Sequence, residues 1–360
     1  MEQPSLSRES NVVLLLTSHI GAGSESQTKD SGLGPVGWHD FARNIEASSL
    51  DSPGSLLQLS ASEWPDNVWT DEATKSWVEN RLSRSTNLAM ELEELNNRGI
   101  WVTTIFEPTY PEALSDTLGS KAPPFLYVAG DASNLSTPAI GFVGSRDADE
   151  QDKEWTAELV EAVINDGFGV VSGGAKGIDR TSEETGLECG GPVVEFPTEG
   201  IQRCIKKNNI RDAILEGTLT LASHYHPEAQ WNIGSAMGRN KLIHGFAEYT
   251  IVIRSGESGG TWEGSTENLD NEWSPLLVCE YDETPPGNQA LLKQGGIGVD
   301  PRSVSSATCF TEWLPEKLQD QTETSSMMNS TSSEQQPQPD KEQDDENYDS
   351  ETEQSSLDQY

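Results

Sequence analysis

The chain has 360 residues, of which 34% are hydrophobic and 32 are glycine. That sits slightly under the globular norm of about 45–50% apolar-plus-glycine and leaves room for a sizeable core with some unstructured chain beside it. Acidic residues outnumber basic ones 60 to 23, a net charge of −37, which argues against a polybasic nucleic-acid binder and against adhesion to anionic lipid, but not against a local basic pocket.

The apolar run 12–16 follows Arg8 and Glu9 and is too short for a signal-peptide core. No run approaches the roughly 18 apolar residues of a membrane span. Residues 1–98 read as a mainly helical region, with Trp77, Leu82, Leu88, Leu92 and Leu95 recurring at three-to-four spacing through 72–95. GIWVTTIF (99–106) is a short β-rich run. Pro108 and Pro111 mark a turn into a short helix, and PPFLYVAGD (123–131) is extended and ends in a glycine turn.

From Pro138 the pattern alternates. Short apolar runs at 139–143, 168–172, 192–196, 219–222, 249–253 and 275–279 read as strands, separated by segments long enough for crossover helices, such as 151–165 and 229–247. Continuously apolar strands alternating with helices predict a doubly wound α/β domain with a mostly parallel sheet covered on both faces. This domain is expected over 99–317.

The segment 318–360 carries twelve carboxylates against one base, Lys341, with no hydrophobic period. Such a composition buries too little surface to offset ordering entropy, so a disordered acidic tail is expected. The rest of the chain still holds about −26, which points to adaptation to high salt, where screening removes self-repulsion. Cys189, Cys204, Cys279 and Cys309 lie far apart without a C-x-x-C. Neither a disulfide framework nor a zinc site is expected, and a reducing cytoplasm fits.

Ligands of a doubly wound sheet bind beyond the carboxyl ends of its strands. The turns there carry Gly144, Ser145 and Arg146; then Ser172, Gly173, Gly174, Ala175, Lys176 and Gly177; then, on the helix after the fourth of these strands, Arg239, Asn240 and Lys241; and after the fifth, Ser258, Gly259, Gly260 and Thr261. Glycine lets backbone N–H groups approach an anion, helix N-termini add partial positive charge, and Arg146, Lys176 and Arg239 supply cations. Together they predict a phosphate-binding edge. The first turn, GSRDAD, lacks G-x-G-x-x-G, so NAD or FAD is not expected, and no G-x-x-x-x-G-K-[ST] is present. His224 and His226 form an H-x-H with no obvious third ligand and read as structural. Asp179 stands at a helix start, as a general base or as a cap bracing the turn.

With EPTYPEAL, PPFLYVAGD, GFVGSR, VVSGGAKGID, MGRNKLI and GNQALLKQGG in this order, the chain from about 99 to 299 resembles the DNA-processing protein A family, also called Smf. The resemblance implies an extended Rossmann-like fold and no cofactor. It implies a non-enzymatic protein that binds single-stranded DNA through its phosphates and hands it to a RecA-type recombinase, often as a homodimer. It assigns Gly144, Ser145 and Arg146, Ser172 to Gly177, and Arg239, Asn240 and Lys241 to DNA-phosphate contacts and Asp179 to a structural brace. There are departures: Ser182-Glu183 stands where the family usually has Ala-His, and SGGTWEGSTENL replaces the usual S-G-S-L-x-T-A. The acidic tail takes the place of a winged-helix domain. The alternative is a nucleoside-monophosphate phosphoribohydrolase or a nucleotide-type cofactor carrier. The hydrolase's P-G-G-x-G-T-x-x-E is broken here, with Gly264 where its Glu belongs.

Overall fold

The computed structural model describes residues 6–21, 32–69, 72–230, 233–306, 309–316, 318 and 319. The tail expectation falls, from residue 320 onward, outside them. The chain divides into two units, Met1–Pro315 and Glu316–Tyr360, and every element below belongs to the first.

The N-terminal region is helical. Helix α1 (Arg8–Thr17) starts at Ser7, whose side chain accepts from the Ser10 amide. Its run Val12–Leu16 is fully buried, so what resembles a truncated signal core is the centre of a helical layer. Helix α2 (Pro35–Glu46) packs against it. The 72–95 run is two helices, α3 (Glu72–Leu82) and α4 (Ser85–Asn97), broken where the Arg84 amide turns back to Arg81 O. Three-to-four periodicity persists across such a break, because each half keeps its own apolar stripe. Arg81, itself buried, donates to Leu15 O at 3.0 Å and Ser18 O at 2.7 Å, supplying a cation at the negative end of α1.

Strand β1 (Trp101–Thr104), helix α5 (Glu112–Leu118) and strand β2 (Phe125–Ala129) follow. The chain then alternates through β3 (Ala139–Val143), α6 (Glu150–Asn165), β4 (Gly169–Ser172), α7 (Ile178–Glu188), β5 (Val193–Glu195), α8 (Ile201–Cys204), α9 (Asn208–Leu215), β6 (Leu219–Ser223), α10 (Ile233–Phe246), β7 (Tyr249–Val252), α11 (Gly260–Asn271), β8 (Leu276–Cys279), α12 (Pro286–Lys293), β9 (Ile297–Val299) and α13 (Phe310–Trp313). The nine strands form one sheet in the order β1-β2-β6-β5-β4-β3-β7-β8-β9. The seven from β6 to β9 are mutually parallel; β1 and β2 add an antiparallel flank. The six predicted strands from 139 to 279 are all present. The ninth, β9, was not predicted: Ile-Gly-Val is too short and too glycine-rich to read as a strand alone, and it forms because β8 offers it an edge.

Strands β3, β4, β7 and β8 are buried along their whole length, as expected of a parallel sheet sandwiched between helices. The order in which successive parallel strands are added reverses at β3, which pairs with β4 on one side and β7 on the other. The loops leaving β3 and β7 therefore diverge to opposite faces and open a crevice between them.

Candidate functional site

A cavity of about 570 Å³ occupies that crevice, within the roughly 300–1,000 Å³ usual for ligand clefts. Its lining comes from the turns after β3, β4 and β7 and from the second half of α10.

The turn after β3 is built for close packing. A Cβ on Gly144 would overlap Ile178 of α7, so glycine lets that helix begin directly against the strand end. The Ser145 amide donates to Arg254 O at 2.9 Å, and Arg254 in turn pairs with Asp149 at 2.9 Å and with Asp152, the two carboxylates that cap α6. The first turn and the turn after β7 are thus tied to one helix N-terminus. Arg146 is exposed, lines the cavity, and has no ion pair among the described residues.

The turn after β4 runs inward. The Gly174 amide donates to Glu183 Oε1 at 2.6 Å, and the Ala175 amide donates to Asp179. Gly174 and Gly177 have φ of 71° and 81°, a left-handed backbone that favours glycine. Two amides expected to face a ligand are therefore held by the protein's own buried carboxyls. Ser172 is buried, with its hydroxyl donating to Phe142 O at 3.2 Å inside the sheet. Lys176 is exposed with no ion pair among the described residues, outside the cavity lining.

Arg239 reaches over this turn from α10. It is 6% exposed, and its Nη1 lies 3.4 Å from Asp179 Oδ2. A Cβ on Gly173 would overlap Nη1 and Cζ of Arg239, so the guanidinium rests on the glycine backbone. Burial pushes the Asp179 carboxyl above its ordinary range, and Arg239 opposes the shift. Arg239 therefore presents N–H groups whose charge is largely balanced. Its Nε is buried with no hydrogen-bond partner among the described residues. His244, below it on α10, bonds Thr250 Oγ1 at 3.2 Å; burial and then the Arg239 charge push its pKa down to about 3, so it is neutral. Lys241 lies away from the cavity, with Nζ 3.5 Å from Lys121 O. His224 stacks on Tyr225 at 3.9 Å between ring centroids.

The turn after β7 is the open one. Asn288 of α12 is fully buried; it accepts from the Ser255 amide at 2.7 Å and donates to Ile253 O and Cys279 O at 3.0 and 2.9 Å. At the other end Asn240 Nδ2 donates to Gly260 O at 2.8 Å, and Thr261 Oγ1 donates to Gly144 O at 3.0 Å. Between these pins, residues 256–260 are exposed, and the amides of 256–261 have no acceptor among the described residues. They include the N-terminus of α11, whose N-cap Gly259 supplies no side-chain cap. Such a row of amides at a helix start is an anion cradle. Asp147 in the turn after β3 and Glu263 in the first turn of α11 line the same cavity, so the rim carries carboxylates beside its cation.

Of the sequence-predicted residues, the cavity lining gathers Gly144, Ser145, Arg146, Arg239, Asn240, Ser258, Gly259, Gly260 and Thr261, with Asp179 beneath Arg239. Ser172, Gly173, Gly174, Lys176, Gly177 and Lys241 fall outside it. Asn288, Glu183 and Glu195 also shape the site and carry little local sign of it. The signals are a Gly-Asn pair opening a helix and a lone charge inside the apolar run PVVEF.

Fold and crevice define a Rossmann-like α/β protein with its cleft at the switch point. Residues 101–295 match the model of the DNA recombination-mediator protein A family, and the chain belongs to that family. It is 25% identical over 222 residues to the DNA processing protein DprA of Bacillus subtilis, covering 60% of this chain and 68% of that one. It is 26% identical over 176 residues to Protein Smf of Synechocystis sp., covering 47% of this chain and 43% of that one. The chain thus spans two thirds of the first relative and under half of the second. The X-ray structure of DNA processing protein A from Streptococcus pneumoniae shares its fold, with a TM-score of 0.60 at 17% identity over 84% of this chain and 98% of that one.

Proposed function

We propose that the chain binds single-stranded DNA through its backbone phosphates in the switch-point crevice, without catalysis, and passes the strand to a RecA-type recombinase. The observation that carries the binding is the pinned, open turn of residues 256–261, facing Arg146 across one cavity. Family membership and relatives named as DNA processing proteins support DNA as the ligand. The hand-over to a recombinase and a homodimer rest on the family resemblance, and the cytoplasmic setting on the four widely spaced cysteines.

The electrostatics define the mode of binding. Residues 140–260 hold eleven bases against nineteen carboxylates, so long-range attraction to DNA is absent. Affinity must come from fixed amides and hydroxyls at short range, assisted by Arg146 and Lys176. Such contacts read phosphate and carry no base sequence. Double-stranded DNA, whose phosphates cannot splay into a crevice, is the poorer ligand.

An anisotropy titration with single- and double-stranded oligonucleotides from low to molar KCl tests this. Sequence-independent preference for the single strand is the expected result. Equal affinity for both forms, or release of free adenine from AMP by the parent protein, would replace this reading with another.

A further inference from the structure

Below the turn after β4, three carboxyls are buried together: Asp179 and Glu183 from α7, and Glu195 from the end of β5, at 6%, 2% and 6% exposure. Glu183 Oε1 accepts from the Gly174 amide, and a Cβ on Gly174 would overlap Glu195 Oε1, so both side chains lie against the same residue of the turn. The second oxygen of each, Glu183 Oε2 and Glu195 Oε2, is buried with no hydrogen-bond partner among the described residues.

The cations facing this cluster are few. Arg239 from α10 pairs with Asp179. Arg180, on α7 and one-third exposed, lies 3.8 Å from Glu183 and donates to Gly174 O at 3.3 Å. Lys207, beyond α8, is engaged with Glu199 at 2.8 Å, and the Cys204 thiol near Glu195 is neutral. Three ionised carboxylates against two nearby guanidiniums would leave a buried negative charge and two oxygens without a hydrogen bond, Arg180 approaching Glu183 Oε2 only to 3.8 Å, an arrangement that burial penalises heavily.

We propose that this turn is proton-linked: Glu183 and Glu195 hold one proton between them while the turn is closed, and its loss opens the turn and unseats Ala175, Asp179 and Arg239 along the crevice. The proton removes one of the buried negative charges and turns one of the two acceptors into an O–H donor. Burial, together with the charges of Glu195 and Asp179, pushes Glu183 well above the usual carboxylate range. Burial also raises Glu195, against Arg180, Lys207 and Arg239. The folded chain then binds more protons than the unfolded one above the ordinary carboxyl value of 4.5, so stability falls as pH rises toward the pair's raised value. An anion in the crevice favours the protonated pair, so affinity weakens in the same direction, by at most about tenfold per pH unit for one proton. Glu183 stands where the family resemblance places Ala-His, so the device belongs to this chain.

The binding half rests on the reading of the crevice as a DNA site; the stability half does not. The test measures melting temperature and oligonucleotide affinity from about pH 7 to about pH 9, above the ordinary histidine value of 6.5 so that buried His244 stays out of the profile, for the full chain and for Glu183→Gln and Glu195→Gln, with the exposed Glu216→Gln as control. The parent and the control should lose stability and affinity as pH rises. Either Gln variant should show a flatter profile in both and equal or exceed the parent at alkaline pH. If one variant does not fold, the other decides. Profiles of the variants that track the parent overturn the proposal. Absence of oligonucleotide binding by the parent at every pH overturns the DNA reading, while the melting profiles still decide whether the pair holds a proton.

Discussion

Gly173→Ala is a one-carbon change whose cost follows from where Arg239 lies. The new methyl would occupy the space of the guanidinium. The backbone at Gly173 is not left-handed, so alanine adds no φ strain there. Arg239 is 94% buried and cannot swing into solvent without leaving Asp179. Separating a buried ion pair costs about 3–5 kcal/mol when one charge is left behind; the ability of Asp179 to take up a proton puts the expected value near the lower end, about 3 kcal/mol. In an Arg239→Ala background the methyl meets empty space, and the same substitution should cost under about 1 kcal/mol, giving a coupling of about 2 kcal/mol or more. Chemical unfolding of the four proteins of this cycle measures it. Equal costs in the two backgrounds would refute the seating of Arg239 on Gly173, as would a cost below about 0.5 kcal/mol in the parent.

Arg146→Ala and Lys176→Ala should each weaken single-strand binding by about 1–3 kcal/mol, equally for all sequences, and lower the salt slope by about 0.7; unchanged titrations would remove these side chains from the interface. His244, held neutral down to about pH 3 against an ordinary value of 6.5, binds fewer protons folded than unfolded in that window. It should therefore cost stability as pH falls below 6.5, by at most about 1.4 kcal/mol per pH unit. His244→Asn should flatten the acid side of the melting profile, and an unaltered acid slope would count against this. With −37 on the chain, the melting temperature should climb with KCl well past about 0.15 M; a flat profile into molar salt would sink the high-salt reading.

Much of the fold is legible in the residues because parallel strands are buried on both faces and so read as continuous apolar runs: AIGFV, FGVVS and YTIVI announce themselves. The N-terminal break at residues 83–84 is not legible, since it is made by a reversal that leaves the apolar spacing intact. The site was half legible. Glycines and cations after strand ends mark the crevice, but the direction in which each turn's amides point depends on tertiary partners far along the chain. Glu183, Glu195 and Asp179 draw the second turn inward, and Asn288, 33 residues beyond Ser255, holds the last turn open. Arg239 reads as a phosphate cation until Asp179, 60 residues away, is seen beside it. No local pattern carries those pairings.

On the proposed reading, the last turn, and not the glycine-rich second one, presents amides to phosphate. Backbone amide chemical shifts of the full chain, titrated with a short oligothymidylate, test it most directly. The largest changes are expected at residues 256–261 and at Arg146, with the Gly174 and Ala175 amides remaining slow to exchange against their carboxyl acceptors. Large shifts at 173–177 with none at 256–261 would contradict it.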